Sequence, residues 1–304
     1  MIRLSSVRTL MSVTAAMIEM DDGAQLHTWT TGSPIPRAFP LVMVHGGPGL
    51  PDYLGPVAGM VEDRCLVHRY DQRGTGGSGW DGEHTLARHV RDLSLLLDAW
   101  HHDRVVLVGH SFGTNLAGYF TLAHPERVAG LIQIAGPFLG PWREADRAAQ
   151  RARRTDQQQA RLDELEAIAS RTDAEEIEYL TLSWFTDHAD PARAWDWALA
   201  SARTLRPVNY AMNSQLNAAK KADPLESHVD ELRERLPAGT VIIGGAGDSR
   251  PAAALRRLGG RLGCEVVLIS NAGHQPWLEA PDQFAAVLRT AVARHEPSPT
   301  PRGG

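Results

Sequence analysis

A chain of 304 residues with 43% apolar and 22% charged side chains, 28 glycines and 19 prolines falls outside the disordered, collagenous and fibrous classes. Its length accommodates one large α/β domain, or a domain carrying a sizeable insertion. The formal net charge of −5 argues against a general nucleic-acid binder, whose basic surface pushes the balance the other way.

At the N-terminus, Arg3 and Arg8 stand without a compact apolar core ahead of a cleavage site, so no signal peptide is expected. No later run reaches the roughly 18 apolar residues of a membrane span; a cytoplasmic protein without membrane or nucleic-acid partners is the expectation. Residues 13–20 and 24–31 read as two strands of a hairpin closed by Asp22-Gly23, a dipeptide suited to a tight turn. Short buried runs at 39–44, 65–70, 104–108, 128–135, 240–243 and 265–270 then alternate with helical stretches at 85–100, 114–123, 252–258 and 281–295. Such alternation predicts parallel strands joined by crossover helices. Cys65 and Cys264 each lie in an apolar, strand-like stretch and are read as reduced, buried thiols rather than a disulfide framework.

Between residues 138 and 223 the pattern changes: 26 of 86 residues are Asp, Glu, Lys or Arg. Leu162, Leu165 and Ile168, then Ile177, Leu180 and Trp184, recur at spacings of three and four, which gives amphipathic helices. Arg151, Arg153 and Arg154, flanked by Glu144, Asp146 and Asp156, read as a solvated helix face. Residues 296–304, ending PSPTPRGG, are expected to be disordered.

The strongest chemical signal is Gly109-His110-Ser111-Phe112-Gly113, which follows the strand RVVLV and precedes the helix TNLAGYFTLA. A serine on such a strand-to-helix turn exposes its oxygen, and the flanking small residues let strand and helix approach. A hydroxyl needs a general base, itself oriented by a third group. His274 after EVVLIS, and Asp248 after VIIGGAG, occupy the places of base and acid in the order Ser, acid, His. Asp223 and Glu226 are the alternative acids. His45 and His110 flank glycine turns and are expected to make structural hydrogen bonds. Developing negative charge requires N–H donors. His45-Gly46-Gly47-Pro48-Gly49 supplies one from Gly47, Pro48 having no N–H, and Phe112 after the nucleophile supplies the second. Adjacent His101-His102 and a Gly244-Gly245-Ala246-Gly247 turn leading into Asp248 match neither a metal site nor a nucleotide fingerprint, so neither metal nor cofactor is expected.

HGGPG at 45–49, DQRGTGGS at 71–78, GHSFG at 109–113 and GHQPWLEAPDQF at 273–284 resemble the α/β-hydrolase superfamily. HGGPG with DQRGxGxS resembles its proline iminopeptidase-like branch, whose members cut an N-terminal residue from peptides or hydrolyse related amides and esters. The resemblance covers 13–137 and 225–295. It implies the α/β-hydrolase fold: a mostly parallel sheet with flanking helices (1–137 and 224–295) and an inserted helical cap (138–223), which acts as the lid. In that branch the Asp-Gln-Arg-Gly loop is structural, so Asp71 and Arg73 are expected to brace the glycine loop.

The branch carries in its cap a segment resembling A-W-x-x-W-E, whose glutamate pairs with the substrate's amino group. Here residues 193–199 read Arg-Ala-Trp-Asp-Trp-Ala-Leu, with Leu199 in the glutamate's place and Asn209 nearest a second acidic position. A buried ammonium without an acceptor is costly, so aminopeptidase specificity is expected to be lost unless Asp196 supplies the charge. Trp184, Trp195 and Trp197 line an acyl pocket with Leu199 on one reading and pack the helices on the other. The expectation is a cofactor-free serine hydrolase acting on an ester, lactone, thioester or amide of a small molecule or short peptide. The alternatives are a proline iminopeptidase-type aminopeptidase and a non-hydrolytic ligand-binding homologue. Serine at 111 excludes the carboxylate-nucleophile chemistry of dehalogenases and epoxide hydrolases.

Overall fold

The computed structural model describes residues 13–295; the expectations for the first twelve residues and for the tail at 296–304 lie outside them. Eight strands form one sheet: β1 Thr14–Glu19, β2 Gln25–Thr31, β3 Leu41–Val44, β4 Val67–Tyr70, β5 Val105–His110, β6 Val128–Ile134, β7 Val241–Gly245 and β8 Glu265–Ile269. Their spatial order is β1-β2-β4-β3-β5-β6-β7-β8. Every pairing from β4 across to β8 is parallel. The expected hairpin forms one edge of this mostly parallel sheet: β1 pairs antiparallel with β2, as the Asp22-Gly23 turn, too short for a crossover, requires, and β2 pairs antiparallel with β4.

Among the described residues, twelve α-helices accompany the sheet. Three precede β6: α1 Gly55–Ala58, α2 Leu86–Ala99 and α3 Phe112–Ala123. Five lie between β6 and β7: α4 Arg143–Arg153, α5 Asp156–Glu166, α6 Asp173–Trp184, α7 Ala194–Thr204 and α8 Tyr210–Ala222. The rest are α9 Val229–Arg235, α10 Ala252–Leu262, α11 Pro276–Glu279 and α12 Pro281–Ala293.

β3 and β5 are buried along their whole length, as central parallel strands covered on both faces are. Successive residues serve opposite layers. Met43, Val108, Ile134 and Ile243 pack on Trp277, Phe284 and Leu288, whereas Val42, Val44, Leu107 and Leu131 pack on Leu93, Leu97, Leu116 and Phe120 of α2 and α3. α2 begins where Thr85 accepts a hydrogen bond from the Arg88 N–H, an N-cap. α10 runs past the expected end at residue 258, through Gly259-Gly260. Its left-handed Gly263 closes it instead, and a Cβ on Gly259 would strike the Val266 side chain, so the glycine serves close packing. Cys65 is buried as expected; Cys264 is only partly so.

The five helices between β6 and β7 hold a cluster of their own, with Leu162, Leu165, Leu182, Phe185, Ala194 and Ala198 buried. α5 and α6 both start with capping boxes, Thr155 with Gln158 and Thr172 with Glu175, which satisfy two otherwise unpaired N–H groups each. The expected solvated arginine face is corrected. Only Arg151 points outward, to Asp156. Arg153 donates to the carbonyls of Thr186, His188 and Gly247, and Arg154 to those of Leu182 and Ser183. Carbonyls in the last turn of α6 and in the segments beyond it, left without helical partners, supply the acceptors that spacing alone does not reveal.

Candidate active site

β5 ends at His110 and α3 begins at Phe112, leaving Ser111 in the turn at φ 54°, ψ −119°. That left-handed conformation is unfavourable for a residue with a Cβ and persists only where the surroundings impose it. Here the Ser111 N–H donates to the Ile134 carbonyl at 2.9 Å, while α3 packs beneath. A Cβ on Gly109 would lie 2.7 Å from the Gly113 carbonyl oxygen, and one on Gly113 would strike the Val44 carbonyl. Strand and helix meet this closely only through glycine.

His274 and Asp248, 26 residues apart in sequence, arrive from the loops after β8 and β7. The Asp248 carboxylate can only accept, so the 2.7 Å contact between its Oδ2 and His274 Nδ1 puts the imidazole proton on Nδ1. Nε2 is then an acceptor and faces Ser111 Oγ at 2.9 Å. Burial acts to raise the Asp248 pKa, but the His274 imidazole and the Arg250 guanidinium outweigh it and hold the carboxyl well below the usual range. Arg250 donates to Asp248 at 3.1 Å and to Asp187 at 2.9 Å. The Asp187 carbonyl in turn accepts the His274 N–H at 2.8 Å. Glu279 accepts from the Gly273 and Ala189 N–H groups at 2.8 and 2.7 Å, pinning the loop just before His274. The alternative acids stand elsewhere: Asp223 contacts His228, and Glu226 accepts from the Gly140 N–H.

Gly47, at φ 125°, borders both cavities that reach Ser111. Phe112 is the first residue of α3, where the helical ladder provides no acceptor for its N–H. The DQRG loop braces the glycine loop, though through different residues than expected. Gln72 does most of it: its N–H donates to His45 Nε2 at 3.0 Å and its side-chain amide to the His45 carbonyl at 2.7 Å. Asp71 accepts from the Asp52 and Gly77 N–H groups, each at 2.7 Å. Arg73 turns away, bidentate to Asp92 at 2.8 and 2.7 Å and paired with Asp22.

A second hydrogen-bonded chain joins the glycine loop to the His274 loop. His110 Nε2 lies 2.9 Å from the His274 carbonyl, which only accepts, so the His110 proton sits on Nε2 and Nδ1 accepts from the Tyr53 hydroxyl at 2.7 Å. Tyr53 Oη accepts from the Gly46 N–H at 2.8 Å. Burial, helped by nearby His274, keeps the His110 pKa well below its ordinary value, so this link is a neutral imidazole. The sequence points to His110 as structural; Tyr53, in an unremarked loop, carries no local signal of its partnership.

Two cavities meet at Ser111. The smaller, about 160 Å³, is lined by Leu50, Tyr53, Trp184, Leu205 and His274 among others. The larger, about 790 Å³, opens past Phe138 and Trp142 toward Lys220 and Arg143. Trp184 thus reaches the site, whereas Trp195, Trp197 and Leu199 line neither cavity. α7 turns Ala194, Ala198 and Ala202 inward, which leaves Trp195 39% exposed and Trp197 against His188 and Arg193. Asp196 is exposed. Asn209 caps α8, accepting from the Met212 N–H, and donates through Nδ2 to the Gly74 carbonyl; it is a structural amide.

The alpha/beta hydrolase fold family profile matches residues 40–281. A putative carbamate hydrolase RutD of a Caulobacter strain is 28% identical over 81% of the chain and 92% of its own length. A proline iminopeptidase of Heyndrickxia coagulans is 34% identical over 35% of the chain, a match that spans only 38% of that relative. Among solved structures, an esterase of Thermogutta terrifontis superposes with a TM-score of 0.72 at 18% identity, covering 93% of this chain and 100% of that one. A proline iminopeptidase of Mycobacterium smegmatis superposes with 0.64 at 21% identity, covering 93% and 99%. Among the described residues no helix is long and apolar enough to cross a membrane. Sheet order, family match and relatives agree: the chain belongs to the α/β-hydrolase fold family, as a hydrolase with proline iminopeptidase-like relatives.

Proposed function

We propose that the protein is a serine hydrolase that cleaves an ester, lactone, thioester or amide of a small molecule or short peptide through an acyl-enzyme. The observation that carries this reading is the continuous contact from Ser111 Oγ to His274 Nε2 at 2.9 Å and from His274 Nδ1 to Asp248 at 2.7 Å. Ser111 attacks the carbonyl carbon while His274 takes its proton; Asp248 stabilises the imidazolium without being protonated. The N–H groups of Gly47 and Phe112 receive the developing oxyanion. His274 then protonates the leaving group, and an activated water releases the acyl group by the reverse sequence. Residues 138–223 act as the cap that shapes the pocket. Ser111→Ala is expected to lower hydrolysis by on the order of 10⁴-fold or more and to abolish covalent labelling by a fluorophosphonate; persistent labelling would overturn the assignment.

A second reading, release of an N-terminal residue from peptides, draws on the similarity to proline iminopeptidases. The carboxylates that border the cavities at Ser111 are already engaged: Asp187 by Arg250, Glu226 by the Gly140 N–H. Neither carboxylate stands unpaired to meet a substrate ammonium, Glu226 also having Arg261 3.7 Å away. Rates on a prolyl anilide and on short para-nitrophenyl esters separate the two readings: esters favoured over the anilide support the first.

A further inference from the structure

Ser111 borders a cavity of about 790 Å³ whose rim carries Arg143, Lys220, Lys221 and Arg250 against the single carboxylate Glu226. Of these cations only Arg250 is neutralised, by Asp187 and Asp248. Arg143, Lys220 and Lys221 have no carboxylate partner among the described residues. They come from two elements, the first turn of α4 and the last turn of α8, and face one opening. α4 is fixed there because buried Asp146 accepts from the Ser249 hydroxyl at 2.7 Å in the loop after β7. Lys220 lies deepest, its Nζ 5.3 Å from the ring centroid of Phe112, the residue beside the nucleophile.

We propose that this cavity is an anion subsite in which Lys220, Lys221 and Arg143 hold a carboxylate or phosphate carried by the substrate. The inference rests on the serine-hydrolase reading and names its substrate class: acyl compounds bearing a negative charge away from the scissile bond. A partly buried ammonium facing other cations is poorly solvated and uncompensated until a ligand brings the opposite charge. The Lys220 pKa is accordingly drawn down to about 8, first by burial and then by Arg143 and Arg250. The same field repels a free amino terminus, which agrees with Leu199 standing where an amine-binding glutamate is expected.

The test compares matched substrate pairs. One pair is the para-nitrophenyl hemiester of adipic acid against para-nitrophenyl hexanoate, with the charge on the acyl group. The other is butyryl-glycerol phosphate against butyryl-glycerol, with the charge on the leaving group. In at least one pair the charged member is expected to have a kcat/KM about tenfold higher, falling with ionic strength; the pair that responds shows whether a carboxylate on the acyl group or a phosphate on the leaving group is held. Lys220→Met is expected to reduce that ratio at least fivefold through KM, while Lys220→Arg retains most of it. Arg143→Gln, at an exposed position, gives a smaller fall of the same sign and serves if Lys220→Met does not fold. Ratios near one in both pairs, or a ratio unmoved in the Lys220 and Arg143 variants, overturn the subsite. Loss of all ester cleavage and of fluorophosphonate labelling overturns the hydrolase reading instead. The subsite is then judged by calorimetric titration of adipate and glycerol phosphate: binding weakened by Lys220→Met supports it, and no binding to the unmodified protein rejects it.

Discussion

The loops at the carboxyl ends of the strands and the helical block between β6 and β7 handle charge in opposite ways. In the loops the buried guanidinium groups have their counter-ions inside the protein, Arg73 with Asp92 and Arg250 with Asp187 and Asp248, and Asp248 also accepts from His274. The block also pairs many of its charges, for instance Arg161 with Glu178, but the cations it turns toward Ser111 are left open. Under the proposed function, groups that perform chemistry need a fixed electrostatic setting whatever is bound, so the protein supplies the counter-charge itself. Groups that select a substrate gain from leaving the counter-charge to the substrate.

If this division holds, Asp248→Asn should act on every substrate alike. It removes the acceptor that fixes the His274 tautomer, and kcat is expected to fall about 10³- to 10⁴-fold for charged and neutral esters equally. A loss confined to charged esters would break the division. Acid acts on the strand-and-loop region next. Burial lowers the pKa of His45 to about 4 and of His68 and His89 to about 3, and burial first, then His274, keeps His110 well below its usual value. The unfolded chain binds these protons near pH 6.5. Stability from these groups is therefore complete above that pH and is lost as pH falls toward the folded values. By pH 5 a fully buried histidine accounts for about 2 kcal/mol, so urea unfolding midpoints should drop steeply between pH 7 and pH 5; a flat profile would contradict neutral burial. Tyr53→Phe is the mildest change. It removes the hydroxyl between Gly46 and His110, and is expected to lower kcat about tenfold, near 1.4 kcal/mol, with the charged-to-neutral substrate ratio unchanged.

Legibility from sequence follows the same boundary. Ser111, Asp248 and His274 each follow the end of a parallel strand, the buried β5 and β7 and the edge strand β8, and a parallel sheet brings strand ends to one edge, so chain position alone brings them together. The glycine motifs were readable because a missing Cβ leaves a fixed mark in a short segment. Residues meeting across long separations were not. Gln72 on His45 displaced the expected Arg73, and Tyr53 on His110 had no local pattern. The tryptophans of α7 misled for a similar reason: bulk suggests a pocket, but three inward alanines rotate that face of the helix away from the site.

One attachment constrains how the site can be altered. At its N-terminal end α8 is tied to the glycine loop: the Asn209 N–H donates to the Gly49 carbonyl and Asn213 Nδ2 to the Pro48 carbonyl, both at 2.8 Å. The far end, with Lys220 and Lys221, carries no such tether to that loop. α8 is thus a post set in the floor of the site with its tip over the cavity, and Gly47 keeps its place as the tip is changed. New substrate preferences can be grafted by rewriting the last turn of α8 and the first of α4 while Asn209 and Asn213 stay untouched, leaving the reaction centre as it was.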